Sequence, residues 1–531
     1  MVIMAKNKAR LTDDQKVTFG FPVDREYARI FHPRIIIIGA GAAGLAAAQR
    51  LAENEFTDIV ILEAQDRIGG RVWSQKIGNG HVEMGAQFIH GKNILYDVAE
   101  QNKLIKVITP HKKKEINPTE EHGSGGEFLV DNGVEMSSFA KIIFSETYEA
   151  ITDIWRQAKS GGTLTLGLAS DEEKENVGKF MRDQFDRYLL TRKYDSDDVK
   201  CFRMSIFGWL MRVHRADNAC QSLHDLDVTE YAKYTAGLEC IPIDVPMMDI
   251  LKLAVLKNSR SKTFLSKPVE KVCFVGEKAN FPIRVLCKDG DVFEADHCIV
   301  TASLGFLKHN VEKFFEPSLS AEKVDAVKKA GFGTVNKIFL QFGSAFWEDK
   351  YGDTEGFQLL FSNVAQEDLE HRMHNQPWHR AILGFDVCRT LPNSLIGWVS
   401  GTQAEEMETM TDEEVAEDCQ RVLQSFLSTL VVPRPVRVIR TAWFHNQYVR
   451  GSYSHAAKNQ SKHIKVLAEP DWHYDMYTLT LSDAPNSLQQ RIPALLFAGE
   501  ATHSTLFSTV PGAIESGHRE AERIIVLYTK T

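Results

Sequence analysis

The clearest pattern of hydrophobic and polar positions lies near the start of the chain. Residues 34–38 form a β-branched run that ends at a glycine, which is typical of a buried parallel strand. The alanine- and leucine-rich residues 42–53 favour a helix, and the apolar run 58–62 predicts a second buried strand. Together these elements predict a βαβ unit, preceded by a loose polar arm over residues 1 to about 30.

Beyond the βαβ unit, helical and strand-like periodicities replace one another along the chain. Strand-like segments are short and apolar, whereas the helical segments repeat their apolar residues every three to four positions. The predicted elements are a loop at 122–126, a helix at 179–190, short strands over 266–300, a strand at 337–342, helix 412–430, strand 494–499 and a closing helix from about 510 to 528.

The domain organisation is predicted to be discontinuous. At 531 residues the chain is too long for one ordinary domain. Because elements of nucleotide-binding type occur at both ends and in the middle, we expect one domain that a second domain interrupts twice. The nucleotide-binding parts are 31–117, 250–336 and 490–531, and the substrate-domain parts are 118–249 and 337–489.

The composition narrows the class of protein. Hydrophobic residues make up 43% and charged residues 25%, a mixture typical of a folded globular chain. The net charge of −9 disfavours a nucleic-acid partner, which would need a basic surface. The eight cysteines lie far apart and form no C-x-x-C pair, so we expect neither a metal site nor a disulfide framework.

No targeting or membrane-spanning segment is recognised in the sequence. The N-terminus lacks the apolar region of a signal peptide, and the longest apolar run, Ile35–Ala48, is too short to cross a bilayer. The last residues are not a peroxisomal S-K-L address. We therefore expect a cytoplasmic protein without a membrane partner, and the oligomeric state stays open.

A glycine motif between the first strand and the first helix predicts a dinucleotide site. Residues 39–44 fit G-x-G-x-x-G, in which Gly39 makes the tight turn and Gly41, followed by Ala42, lets the backbone approach a pyrophosphate. Gly44 allows the helix to pack on the strand, and Glu63 at the end of the next strand accepts hydrogen bonds from a ribose.

The residues after Glu63 decide between two cofactors. Arg67, Gly70 and Arg71 form a second loop rich in glycine and guanidinium donors. Two arginines facing phosphates suit a long, extended dinucleotide such as FAD better than NAD.

Several blocks of the sequence resemble the flavin-containing amine oxidases. The resemblance is closest to the branch of spermine and acetylpolyamine oxidases, and it extends from about residue 34 to 524, most weakly over 118–249. It implies an α/β fold of the p-hydroxybenzoate-hydroxylase-like two-domain type, with a Rossmann-like FAD domain and an inserted α+β substrate domain. The matching blocks are 63–71, 83–91, 333–338, 451–454 and 499–503.

The same resemblance implies further cofactor contacts. Glu500 follows a buried strand, and Val510 lies in the first turn of a helix whose N-terminus would face the flavin. Ser452 stands where monoamine oxidases carry the cysteine that links FAD, so we expect non-covalent FAD. The other residues assigned to the cofactor on this basis are Gly85, Ala86 and Val269.

Three residues are assigned catalytic roles from the resemblance. Lys337 matches the lysine that holds a water beside the flavin, and a buried ammonium there could move protons. Tyr453 matches one wall of an aromatic cage for the amine, although the opposite wall falls on Thr509. His90 matches a histidine near the substrate.

Other positions leave the preferred amine open. Phe88, Gln447 and the pair Val510–Pro511 depart from the residues expected at the substrate tunnel and helix start. The carboxylates at 225, 227 and 230 could bind a distal ammonium group, but we favour a solvated acidic face.

The resemblance implies an FAD-dependent polyamine oxidase. A secondary amine of spermine or an acetylated polyamine would transfer hydride to the flavin, and dioxygen would accept the electrons. Hydrolysis of the resulting imine by water would give a shorter polyamine and an aminoaldehyde, and reduction of dioxygen would give hydrogen peroxide. Two alternatives stay open: an amino-acid oxidase or lysine demethylase of the same superfamily, and a flavoprotein binding module without turnover.

Overall fold

The structure is a computed structural model. It describes residues 33–105, 126–131, 133, 136–160, 176–235, 240–257, 261–276, 280–362, 376–478 and 488–529. The predicted arm over residues 1–30 and most of the loop predicted at 122–126 lie outside these ranges.

The described residues form strands and helices along the whole chain. The strands are β1 Ile35–Ile38, β2 Ile59–Leu62, β3 Ser74–Ile77, β4 Gly80–Glu83, β5 Phe88–His90, β6 Glu127–Val130, β7 Cys240–Pro242, β8 Lys262–Phe264, β9 Val269–Phe274, β10 Ile283–Cys287, β11 Val292–Ala295, β12 His297–Val300, β13 Phe315–Glu316, β14 Gly331–Gly333, β15 Val335–Gln341, β16 Gly356–Leu360, β17 Gly384–Val387, β18 Ser394–Ser400, β19 Arg437–Arg440, β20 Tyr453–His455, β21 Asp471–Thr478 and β22 Leu488–Phe497. The α-helices are α1 Ala42–Glu53, α2 Ile94–Gln101, α3 Ser138–Lys159, α4 Val177–Thr191, α5 Asp197–Asp217, α6 Val228–Ala232, α7 Met247–Val255, α8 Leu304–Phe314, α9 Ala321–Lys329, α10 Glu348–Tyr351, α11 Thr402–Glu408, α12 Asp412–Phe426, α13 Gln460–Ala468 and α14 Val510–Thr529.

The first sheet contains the predicted βαβ unit. Its strand order is β21-β22-β12-β1-β2-β8, and β1 pairs in parallel with both β2 and β12. Ile37 lies opposite Ile61 on one side and Ile299 on the other, and all three side chains are fully buried. A strand enclosed on both faces needs a continuous apolar run, which explains why the sequence identifies β1 and β2 so well.

The closing helix α14 packs directly against α1. A Cβ atom at Gly517 would lie 2.2 Å from the backbone oxygen of Ala43, so only glycine permits this approach. Helices α1 and α14, which are far apart in the sequence, therefore meet on one face of the first sheet.

The second sheet has the order β19-β15-β18-β17-β16-β6 and is antiparallel except where β16 pairs with β6. Helices α3, α4 and α5 lie beside it and share an aromatic core that includes Trp209, Phe207 and Phe185. This combination of antiparallel sheet and helices is an α+β arrangement, and the predicted fold class is confirmed.

Among the elements whose bounds differ from the predicted ones, three are informative. The amphipathic helix α12 ends at Phe426, because Leu427–Leu430 forms a hydrogen-bonded turn instead. Strand β15 begins two residues before Lys337, and β22 begins before residue 494 because it pairs along its length with β21. Since β21 belongs to the first sheet, its residues join the nucleotide-binding unit although they lie within the predicted range 337–489.

We predict that Gly44→Ala destabilises the junction of α1 and β1. A Cβ atom there would lie 2.0 Å from the backbone oxygen of Gly39, so strand and helix must separate. Overpacking of this kind costs about 1–3 kcal/mol. The thermal midpoint and the amount of bound flavin should both fall, whereas Gly343→Ala, where a Cβ meets nothing within 4 Å, should change neither. Equal midpoints for the two variants would contradict this packing.

Candidate active site

The predicted site residues converge on one cavity of about 460 Å³ between the two sheets. Gly44 and Arg67 are not among the residues that line it. The predicted residues that line the cavity are Gly39, Gly41, Ala42, Glu63, Gly70, Arg71, Gly85, Ala86, His90, Val269, Lys337, Tyr453, Glu500 and Val510.

The glycine motif shapes one end of the cavity. Gly39 adopts a φ of 105°, which favours glycine, and a Cβ there would lie 2.6 Å from Thr301 Oγ1. Gly41 precedes α1, and a Cβ at Gly41 would meet nothing within 4 Å. The open space at Gly41, at the positive end of α1, is where a pyrophosphate could approach the backbone. Gly44 instead faces β1 and only closes the packing.

Glu63 connects the glycine loop to the end of β2. Its carboxylate accepts hydrogen bonds from the backbone N–H of Ala40 at 2.7 Å and of Gln65 at 2.9 Å. Burial raises the pKa of the Glu63 carboxyl. Each oxygen keeps a lone pair that can accept from the cavity, which fits a ribose hydroxyl.

The two arginines of the second loop have different positions. Arg67 Nη1 donates to Gly70 O at 2.9 Å, and its guanidinium lies 4.4 Å from the ring centroid of Trp73. Arg67 therefore holds its own loop and is not among the residues that line the cavity, and its contact with the cofactor stays a prediction. Arg71 lines the cavity and donates to Glu500 Oε1 at 2.8 Å.

A second helix N-terminus faces the same cavity. Val510, Pro511 and Ala513 at the start of α14 all line it. Ser508, just before the helix, has a φ of 68° and donates its backbone N–H to Glu500 Oε2 at 2.7 Å. The cavity is thus lined by the N-termini of α1 and α14, by the carboxylate of Glu63 and by the guanidinium of Arg71. These groups fit an anionic dinucleotide.

Lys337 is buried on the face of β15 that lines the cavity. Its ammonium donates to Glu83 O at 2.6 Å, Gly85 O at 2.7 Å and Gln87 Oε1 at 2.6 Å. Burial lowers its pKa to about 7. Within the described residues these three acceptors take all three protons, so a water can bind Lys337 only by displacing one of them, and the Gln87 amide can rotate away.

Tyr453 and His90 occupy two other parts of the wall. Tyr453 donates its hydroxyl to Ala216 O at 2.6 Å, and burial raises its pKa. His90 lies 3.5 Å from Cys240 Sγ through Nδ1, and the surrounding protein lowers its pKa, which favours the neutral ring. Thr509 lines the cavity with no aromatic ring, as expected.

The three carboxylates considered for a distal ammonium group do not line the cavity. Asp227 accepts the N–H groups of Thr229 and Glu230 as the cap of α6. Asp225 accepts the backbone N–H of Ser222, the cap of a short 3-10 helix, at 2.9 Å, and Glu230 accepts from Ser461 N at 2.9 Å. These acids have structural roles.

Two other carboxylates line the cavity and were missed in the sequence. Asp217 is the last residue of α5, and Asp386 lies within β17. Burial raises the pKa of the Asp386 carboxyl to about 7. The sequence contains a hint of each carboxylate. An acid such as Asp217 is unfavourable at a helix C-terminus, and an acid such as Asp386 is rare inside a buried strand.

Of the two substituted tunnel positions Phe88 and Gln447, only Phe88 lines the cavity. Phe88 lines the cavity and stacks on Trp398, with ring centroids 6.5 Å apart and an interplanar angle of 20°. Gln447 is exposed and does not line the cavity, so that departure has no direct effect on its shape.

Comparison with known proteins identifies the family. The sequence model of the family of flavin-containing amine oxidoreductases matches residues 42–525. The chain belongs to this family. Its members depend on FAD, so the protein is an FAD-dependent amine oxidase. Within the described ranges, no helix combines the length and apolar character needed to cross a membrane.

Curated relatives extend over nearly the whole amine oxidase chain. The peroxisomal N(1)-acetyl-spermine/spermidine oxidase of Bos taurus is 31% identical over 514 residues, which covers 93% of this chain and 95% of that protein. The human protein of the same name is also 31% identical, over 524 residues. A putrescine oxidase bound to putrescine superposes with a TM-score of 0.58 at 16% identity, covering 93% of this chain and 99% of that one, and shares the fold.

We predict that the FAD of this amine oxidase is released by acid precipitation. Ser452 cannot form a thioether, and its hydroxyl is already bonded to Val335 N at 2.9 Å and Val335 O at 2.8 Å. Yellow flavin should appear in the supernatant after the protein is precipitated. Flavin that stays with the pellet would show a covalent link through another residue.

Proposed function

We propose that the chain is a polyamine oxidase that uses FAD and dioxygen to cleave a secondary amine of spermine or an acetylated polyamine. The observation that carries this proposal is the placement of Asp217 and Asp386 on the wall of a cavity that many apolar and aromatic side chains also line. Carboxylates in such a wall attract cationic ligands, and the names of the mammalian relatives agree with a polyamine substrate.

The residues of the chain have separable duties in this reaction. The glycine loop, Glu63 and the start of α14 hold the cofactor. When bound, FAD supplies the two-electron oxidation of the amine and the reduction of dioxygen to hydrogen peroxide. Tyr453 offers its ring to the alkylamine, and the neutral ring of His90 can accept a proton from an incoming ammonium group.

Lys337 fixes one segment of the cavity wall. Its three hydrogen bonds fix the segment from Glu83 to Gln87, which contains the cofactor-facing Gly85 and Ala86. With a pKa near 7, the amine can also release and regain a proton at neutral pH.

The cavity disfavours an amino-acid oxidase. That reaction would need an arginine clamp for the substrate carboxylate. Arg71 is the only arginine among the described lining residues, which also include Lys159 and Lys337. Arg71 already pairs with Glu500. The cytoplasmic location stays a prediction, because "peroxisomal" in the relatives' names describes those proteins.

A peroxide-coupled assay with a panel of amines and mass analysis of the products tests the proposal. We expect turnover with spermine or its acetylated forms, a shorter polyamine and an aminoaldehyde as products, and no turnover of α-amino acids. Turnover of α-amino acids alone would refute the proposal, and FAD-loaded protein without any turnover would favour the binding-module alternative.

We further predict that Lys337→Met lowers turnover per bound flavin by about 10²–10⁴-fold, the usual range for loss of a proton-transfer group. The variant also leaves three acceptors without a donor, so its thermal midpoint should fall.

Lys323→Met is the matched control for this loss. Lys323 is equally buried, donates to the backbone oxygens of Val466, Leu467 and Glu469, and lies outside the cavity. The Lys323→Met protein should have a lower thermal midpoint but the wild-type turnover per bound flavin. Similar turnover losses in both variants would show that Lys337 acts only through stability.

A further inference from the structure

The carboxylate of Asp386 is fixed on the cavity wall by two N–H groups. Gln358 Nε2 donates to Oδ1 at 3.0 Å, and Trp398 Nε1 donates to Oδ2 at 3.1 Å. Since a carboxylate can accept about four hydrogen bonds, each oxygen retains a lone pair. Asp386 is thus oriented by the protein and can accept further donors from the cavity.

Asp386 and Lys337 lie on the same face of the second sheet, on the two strands that flank β18. Lys337 lies directly opposite Trp398 in the pairing of β15 with β18, and its Nζ is 4.7 Å from the Trp398 ring centroid. The indole therefore contacts a cation through its face and Asp386 through its N–H. Gly384, opposite Gln358, leaves room for the amide, because a Cβ at Gly384 would lie 2.6 Å from Gln358 Oε1.

Strand geometry sets the distance between the two ends of this row. Asp386 lies opposite Ile396, two residues along β18 from Trp398, and β18 separates β15 from β17. Two strand spacings and two residues of rise put the Cα atoms of Lys337 and Asp386 about 12 Å apart. The Trp398 ring lies between the two side chains, so a ligand that contacts both ends of this row must extend along the indole.

Within the described ranges, no lysine or arginine is among the groups that shift the pKa of Asp386, which burial raises to about 7. Lys337 directs its protons to three other oxygens. A carboxylate in such a wall is stabilised as an ion by a cationic ligand.

We propose that Asp386 binds a charged primary ammonium group of the substrate, several methylene groups from the nitrogen that is oxidised. Asp386 then determines specificity: the substrate end that reaches it must be a free amine and not an acetamide. The inference rests on the proposed polyamine oxidation and specifies which polyamines the site accepts.

The test compares spermine with N1,N12-diacetylspermine in the FAD-loaded protein and in Asp386→Asn. Both compounds contain the same secondary amines, but only spermine has charged ends. Because a hydrogen bond to a charged group is worth about 1.5–3 kcal/mol, the ratio of their kcat/KM values should fall about 10- to 100-fold in Asp386→Asn. Asp349→Asn, an exposed acid of the same domain, should keep the wild-type ratio.

An equilibrium measurement separates binding from turnover. Anaerobic calorimetry should show that wild type binds 1,8-diaminooctane more tightly than octylamine, and that Asp386→Asn removes most of this difference. If Asp386→Asn does not load FAD, Asp386→Ser replaces it, because the serine hydroxyl can still accept the Trp398 N–H without a charge.

The outcomes distinguish this inference from the proposed function. Wild-type ratios and affinity differences in the loaded Asp386 variants would overturn the role of Asp386 while leaving polyamine oxidation intact. Absence of turnover with every polyamine in the wild type would instead refute the proposed function.

Discussion

The ion pair between Arg71 and Glu500 connects the parts of the chain that form the site. Arg71 comes from the loop after the βαβ unit, and the same guanidinium nitrogen donates to Ser452 O at 2.9 Å. Glu500 follows β22 and accepts the N–H of Ser508 before α14. Because the desolvation of such a pair is offset only when further hydrogen bonds complete it, these contacts fix the three segments relative to one another.

The first sheet and its cofactor site follow from the sequence for a physical reason. Parallel strands buried on both faces demand apolar runs, and a helix that begins close to a strand demands glycine at fixed positions such as Gly39 and Gly44. These are local constraints, so the bounds of α1 were predicted correctly and Gly39, Gly41 and Glu63 all line the cavity.

The substrate side could not be read in the same way. Arg67 satisfies the motif but finds acceptors within its own loop, and Asp386 becomes part of the site only through the pairing of β16, β17 and β18. Lys323 and Lys337 have similar burial and both donate to three oxygens, but only Lys337 lines the cavity. Position in the tertiary structure, more than local chemistry, distinguishes the lysine that lines the cavity from the one that does not.

Anaerobic mixing of the FAD-loaded protein with spermine tests the central claim most directly, because it isolates oxidation of the amine from the later reaction with dioxygen. We expect the visible absorbance of oxidised flavin to disappear at a rate that saturates with spermine concentration, and to return when dioxygen is admitted. Flavin that stays oxidised with spermine and its acetylated forms, but is reduced by an α-amino acid, would contradict the account.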